Sequence, residues 1–175
     1  MTLWTLFFKN SKVLSTSDSE ASKELILINN IQCKGQLVEI YLSTDKNIDL
    51  DELEKLCDSV GWIRRPLKKV KIAIRNSYLI VSLFQDINGK RCLVGFARAT
   101  SDHAFNATIW DVVVHPDLQG QGLGSILVYE IIKRLRYNEI STVTLFADPE
   151  VITFYKNLGF IADPNGIKGM FWYPK

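Results

Sequence analysis

The stretch Gln119-Gly120-Gln121-Gly122-Leu123-Gly124 decides how this chain is read. It stands between an extended apolar run, Thr108 to Val114, and a helix-like run, Ser125 to Arg136. A strand that turns through glycines into a helix makes an anion site. The glycines let consecutive backbone N–H groups converge on one point, and the helix N-terminus adds the positive end of its dipole. A pyrophosphate is the natural occupant. A triphosphate loop of the form G-x-x-x-x-G-K-[ST] is absent, and a dinucleotide-binding G-x-G-x-x-G would need its third glycine one place after Gly124. On the hexamer alone, a glycine-rich turn that merely enters a helix remains open.

Working outward, Leu25 to Ile31 and Gln36 to Leu42 read as strands. Asp49 begins a helix to about Ser59, with Leu50, Leu53 and Leu56 on one face, and Gly61 ends it. Pro66 opens a second helix to about Arg75. Tyr78 to Gln85 and Cys92 to Thr100 read as strands joined through the hairpin signal Asn88-Gly89. On the strand before the glycine loop, alternation puts Thr108, Trp110, Val112 and Val114 on one face and Asp111 on the other. The following helix places Leu123, Leu127, Ile131 and Leu135 together. Thr142 to Phe146 reads as a buried strand, Asp148-Pro149 opens a short helix that Gly159 ends, and Phe160 to Ile161 and Met170 to Tyr173 read as the last strands. This order suits a mixed α/β sheet with the glycine loop at the end of its middle strand.

Gln119, Gly122 and Gly124 match [QR]-x-x-G-x-[GA], and Phe154-Tyr155-Lys156-Asn157-Leu158-Gly159-Phe160 matches FYxxxGF. These two motifs, in this order, resemble the GNAT superfamily of acetyl-CoA-dependent N-acetyltransferases from about Tyr78 to Tyr173. The resemblance implies a mixed, mainly antiparallel central sheet flanked by helices and splayed between its fourth and fifth strands. It implies acetyl-CoA as cosubstrate, held by Val112, Val113, Val114, Gln119, Gly120, Gln121, Gly122, Leu123, Gly124, Ser125 and Asn157. Further segments resemble the plastid and cyanobacterial serotonin N-acetyltransferases, a group also reported to acetylate protein lysines and N-terminal amines. They are Leu56-Cys57-Asp58-Ser59-Val60-Gly61-Trp62, Asn76-Ser77-Tyr78, Phe146-Ala147-Asp148 and Gly166 to Pro174. That likeness implies a plastid stroma or a cyanobacterial cytoplasm, and catalytic roles at Asp148 and Tyr155.

Acetyl transfer to an amine requires a neutral amine, a polarised carbonyl and a stabilised thiolate. A lysine-like ammonium with a pKa near ~10.4 is neutral about once in a thousand molecules at pH 7, a handicap of roughly 4–5 kcal/mol. Tyr155 is the candidate donor to the thiolate; a core tyrosine beside Phe154 is the alternative. Asp148 stands where many GNAT enzymes carry an asparagine. It is read either as an N-cap before Pro149 or as cap and base together, and the closer resemblance favours the base. The family often has a glutamate or histidine on the strand before the loop, whereas this chain has Thr108 and Trp110. This departure moves weight to Asp148, and Asp111 is read as a structural residue or as a secondary base candidate. N–H groups of Val112 or Val113 are expected to polarise the carbonyl. Trp62, Trp110 and Trp172 are candidate walls for an arylalkylamine acceptor; a protein amine is the alternative, and a non-catalytic acetyl-CoA-binding regulatory module is a third reading.

At 175 residues and 47% hydrophobic content, the chain is read as a segment 1–24, expected to be mobile, and one domain, 25–175. A net charge of +2 gives no case for nucleic acid or an anionic membrane. The basic run Arg64 to Lys71 is a solvated helix face or a funnel for an anion. Cys33, Cys57 and Cys92 show no disulfide framework and no zinc spacing, and with only His103 and His115 no metal site is expected. The expected state is a monomer or homodimer.

Overall fold

The computed structural model describes residues 13–14 and 25–173. The expected mobile segment, 1–24, lies outside the described residues except for Val13–Leu14. The chain forms two compact units, divided between Leu145 and Phe146.

Among the described residues, the first unit holds one seven-stranded sheet in sequence order: β1 (Val13–Leu14), β2 (Leu25–Cys33), β3 (Gln36–Ser43), β4 (Leu79–Ile87), β5 (Lys90–Ser101), β6 (Asn106–Val114) and β7 (Thr142–Leu145). All neighbours are antiparallel except β6 and β7. The strand before the glycine loop is therefore next to the edge rather than central. The β6–β7 ladder covers only Asn106↔Thr142 to Ile109↔Leu145, and along Trp110 to Val114 no strand among the described residues pairs with β6 on that side. β7 alternates exposed and half-buried residues instead of being buried, because β6 is its only partner among the described residues.

The helices α1 (Leu50–Ser59) and α2 (Leu67–Arg75) precede β4, and α3 (Leu123–Tyr137) precedes β7. Asp49 caps α1, its Oδ1 accepting from the N–H groups of Asp51 at 2.9 Å and Glu52 at 3.2 Å. At the other end Gly61, at φ +78°, allows its N–H to reach Asp58 O and the Trp62 N–H to reach Cys57 O. Leu53 and Leu56 of α1 and Ile74 of α2 pack with Ile80, Phe96 and Val113 of the sheet. α3 packs against β4, β5 and β6. Its Leu123, Leu127, Ile131 and Leu135 are all buried, as the 3.6-residue spacing predicts. Each such side chain contributes about 1.5–3 kcal/mol of burial free energy.

The second unit holds a 3-10 turn at Pro149–Val151, the helix α4 (Ile152–Asn157) and a 3-10 turn at Pro164–Gly166. The expected strands at Phe160–Ile161 and Met170–Tyr173 do not form. Asp163 and Asn165 take positive φ in a local turn, and Met170 to Tyr173 are exposed without a ladder partner among the described residues. Aromatic composition favours a strand only where a neighbour completes the pairing.

Candidate active site

β6 departs from the alternation expected of it. Phe96 pairs with Val113 and Arg98 with Trp110, so two steps on β5 face three on β6. The extra residue is a bulge at Asp111–Val112, and Asp111 adopts φ +54°. Trp110 and Val113 consequently share a face, while Val114 turns to the other. Of the four residues expected on one face, Thr108 and Trp110 remain together and Val114 does not.

Alternation on the C-terminal side of the bulge decides which amides face β5. The His115 N–H donates to Val94 O at 2.8 Å. Antiparallel alternation then directs the Val113 N–H to β5 as well, opposite Phe96. The Val112 and Val114 amides turn the other way, along the side where β7 has already ended. Val112 is thus the better-placed donor of the two expected candidates, and Val113 is occupied by the ladder.

The glycine loop is tied down at both ends. Gln119 Nε2 donates to Val114 O at 2.9 Å, folding the loop back onto the end of β6. Gln121 spans to β2: its Nε2 donates to Gln32 O at 2.5 Å and its Oε1 accepts the Gln32 N–H at 2.6 Å. Gly120 and Gly122 lie at φ +76° and +84°, a region costly for residues with a Cβ. Gly122 is the N-cap of α3, with no side-chain capping bond and no acidic residue in the first turn. The first N–H groups of α3, those of Leu123, Gly124 and Ser125, lack helical acceptors and carry the positive dipole end. The donor set fits an anion.

In the second unit, Asp148 occupies the N-cap position before Pro149, but its side chain makes no capping hydrogen bond. Its carboxylate therefore has no capping function here. Burial pushes the Tyr155 phenol above its ordinary pKa, and the Asp148 carboxylate raises it further. The Tyr155 ring stands edge-on to Phe154 at 4.8 Å and to Phe160 at 5.8 Å between centroids. Gly159, at φ +94°, donates to Lys156 O while the Phe160 N–H donates to Tyr155 O. That is the Schellman closure, with its apolar contact between Tyr155 and Phe160. The FYxxxGF spacing is thus the spacing of a helix end that grips its own tyrosine. Asn157 is the last residue of α4 and is exposed.

Residues 47–160 match the acetyltransferase (GNAT) family. The chain belongs to the GNAT family. It is 57% identical over 180 residues to a protein named "Uncharacterized N-acetyltransferase ycf52" from Gracilaria tenuistipitata var. liui, covering 99% of each chain. It is 49% identical over 160 residues to "Histone acetyltransferase TAP1" from Glycine max, covering 87% of this chain and 69% of that one. A solved structure, a GNAT family protein from Streptococcus pneumoniae, superimposes with a TM-score of 0.65 at 24% identity, over 78% of this chain and 98% of the other. The protein is a GNAT N-acetyltransferase, an enzyme of a family that uses acetyl-CoA.

As a GNAT enzyme it carries the expected pyrophosphate residues, Gln119 to Ser125, in the turn from β6 into α3. Trp62 and Trp110 expose about a third of their surface, 37% and 36%, and the Trp110 indole donates to Thr100 Oγ1. Trp172, in the second unit, is 84% exposed. Asp111, the secondary base candidate, is engaged at both carboxylate oxygens by Arg65 and Arg98. Arg64 pairs with Asp58. The two arginines of the basic run are thereby paired locally, while Lys68 and Lys71 line a groove of about 540 Å³ with Lys46 and Arg75. Sequence reasoning missed Arg65, Arg98 and Gln32. No local signal marks them, because their partners lie 46, 13 and 89 residues away in the chain. Among the described residues, no group of three or more His, Cys, Asp or Glu is placed to hold a metal, and no helix is long and apolar enough to cross a membrane.

Proposed function

We propose that this enzyme transfers acetyl from acetyl-CoA to a primary amine by direct attack in a ternary complex. The glycine loop and the α3 N-terminus bind the pyrophosphate, and the Val112 N–H donates to the thioester oxygen. The amine nitrogen attacks the carbonyl carbon, its proton passes to the Asp148 carboxylate, and the C–S bond breaks as Tyr155 donates to the departing sulfur. The observation that carries this reading is the Tyr155–Asp148 pair, a phenol kept protonated beside a carboxylate without a capping partner. An ordinary phenol, pKa ~10, gives its proton to a thiolate, ~8.5, only uphill by roughly 2 kcal/mol. Raising the phenol increases that gap, so Tyr155 acts as a hydrogen-bond donor to the developing charge rather than as a full acid.

The acceptor we favour is an amine on a protein. Support comes from the relative named a histone acetyltransferase, at 49% identity, and from the exposure of all three candidate tryptophans. The arylalkylamine reading retains one support, the sequence resemblance to serotonin N-acetyltransferases. The described cysteines Cys33, Cys57 and Cys92 are free thiols, consistent with a reducing plastid stroma or cyanobacterial cytoplasm. Coenzyme A release from acetyl-CoA, measured with a lysine peptide, serotonin and tryptamine, tests the function. Peptide turnover above that of both small amines is expected; faster serotonin turnover reverses the acceptor assignment, and no turnover on any of them rejects the mechanism.

A further inference from the structure

Asp111 combines three properties that a strand residue seldom combines. It is the inserted residue of the β6 bulge, it sits at φ +54°, and its side chain is only 17% exposed. Each carboxylate oxygen has a different cationic partner. Oδ2 accepts from Arg98 Nε at 2.5 Å, and Oδ1 accepts from Arg65 Nη1 at 3.0 Å. Arg98, 12% exposed, lies on β5 directly across from Trp110, the residue before the bulge. Arg65 comes from the segment between α1 and α2 and also approaches the Cys57 thiol. The carboxylate is thus fixed from the neighbouring strand on one side and from the helical layer on the other.

A residue tolerating positive φ would need only to be glycine, asparagine or aspartate. Two charge-assisted bonds from two elements do more, because they fix where the bulged backbone points. We infer that Arg65 and Arg98 are positioning residues: they clamp Asp111 and so aim the Val112 N–H along the open edge of β6. This rests on the proposed role of that N–H toward the thioester oxygen. Asp111 acts through the backbone next to it and not as the base, since both of its carboxylate oxygens already accept from guanidinium donors.

The test uses the full chain with Asp111→Gly, Arg98→Leu, Arg98→Lys and Arg65→Gln. Glycine accepts the backbone conformation but removes the clamp. Asp111→Gly and Arg98→Leu are expected to lower kcat about 10- to 100-fold, with KM for acetyl-CoA changed less than about threefold. Arg98→Lys recovers part of the loss, and the pH dependence of kcat keeps its shape. In parallel, the Val112 amide resonance is expected to shift with acetyl-CoA but not with coenzyme A in the wild type, and to lose that difference in Asp111→Gly. Full kcat in Asp111→Gly, loss of a pH limb in that variant, or a Val112 amide indifferent to the acetyl group overturns the inference. Should Arg98→Leu not fold, the more exposed Arg65→Gln decides by the same kcat-against-KM comparison. Wild-type protein that turns over no amine sinks the proposed reaction, while the amide measurement still decides the clamp.

Discussion

The Phe160 N–H donates to the Tyr155 carbonyl at 3.1 Å, and the Phe160 ring stands edge-on to the Tyr155 ring at 5.8 Å. One residue therefore holds both the backbone and the side chain of the proposed thiolate donor. Phe160→Ala keeps the backbone bond and removes the ring. We expect kcat to fall about tenfold, the order for a misplaced catalytic group, with KM for acetyl-CoA little changed. Steady-state kinetics check this, and an unchanged kcat would show that the ring contact is dispensable.

Tyr155 itself acts in its protonated form. Because burial and Asp148 raise its pKa, activity should persist to pH values above the ordinary phenol pKa of ~10 before falling as the phenol ionises. Tyr155→Phe is expected to lose about 100-fold in kcat and to lose that alkaline limb. The measurement is a pH–rate profile of both proteins over the range in which they stay folded.

Gln121 imitates a strand, donating to and accepting from the backbone of Gln32. Gln121→Ala frees the glycine loop from β2 without touching its backbone conformation. Coenzyme A binding, followed by calorimetry, should weaken about tenfold, the order of one to two lost hydrogen bonds. Affinity equal to that of the wild type would mean that the loop is held by its glycines and Gln119 alone.

Most elements of the sheet unit were legible in the sequence, since apolar spacing, the Asp49 cap and the Asn88-Gly89 turn each report a local preference. The buried face of α3 follows from Leu123, Leu127, Ile131 and Leu135 alone. Three things were not legible. Alternation cannot register one inserted residue, so Val114 was expected on the face of Trp110. Strand propensity at Met170 to Tyr173 could not supply a partner strand. The clamp on Asp111 depends on Arg65 and Arg98, which are 46 and 13 residues away in the chain. At the candidate site, the glycine loop and Tyr155 are visible as motifs, but the reason for the FYxxxGF spacing is geometric.

Ser82 lies fully buried in β4 opposite Ser43 and Phe96, and its Oγ has no hydrogen-bond partner among the described residues. Removing an unsatisfied buried hydroxyl should help. Ser82→Ala is expected to stabilise the fold by about 1 kcal/mol. A higher urea midpoint at unchanged slope would register it; a lower midpoint would reveal a partner that the hydroxyl does have.

Asp102 organises the loop from β5 to β6, accepting from the N–H groups of Ala104, Phe105 and Asn106 and from Asn106 Nδ2. The Asn106 and Ala104 backbone donors lead in holding its carboxyl well below the usual range. Folded Asp102 thus releases its proton more readily than unfolded Asp102. Its contribution is complete above the unfolded value of ~3.9 and is lost as pH falls toward the depressed folded value. Asp102→Asn should lower the Tm at pH 7 and shrink the difference from wild type at pH 2. A difference independent of pH would contradict the assignment.

The bulge makes the proposed chemistry of β6 a matter of chain length as much as of residue identity. Take out one residue at position 111 and a regular ladder runs from Trp110 to Val113, with the Val112 N–H still turned from β5 but no longer set by the bulge. The strand would remain apolar and would still lead into the same glycines, yet the amide after Trp110 would lose both the twist of the bulge and the ion pairs of Asp111 that fix it. Any sequence comparison that closes this one-residue offset with a gap would align two chains perfectly well by letter and mistake a regular strand for one whose amide is set by a clamped bulge.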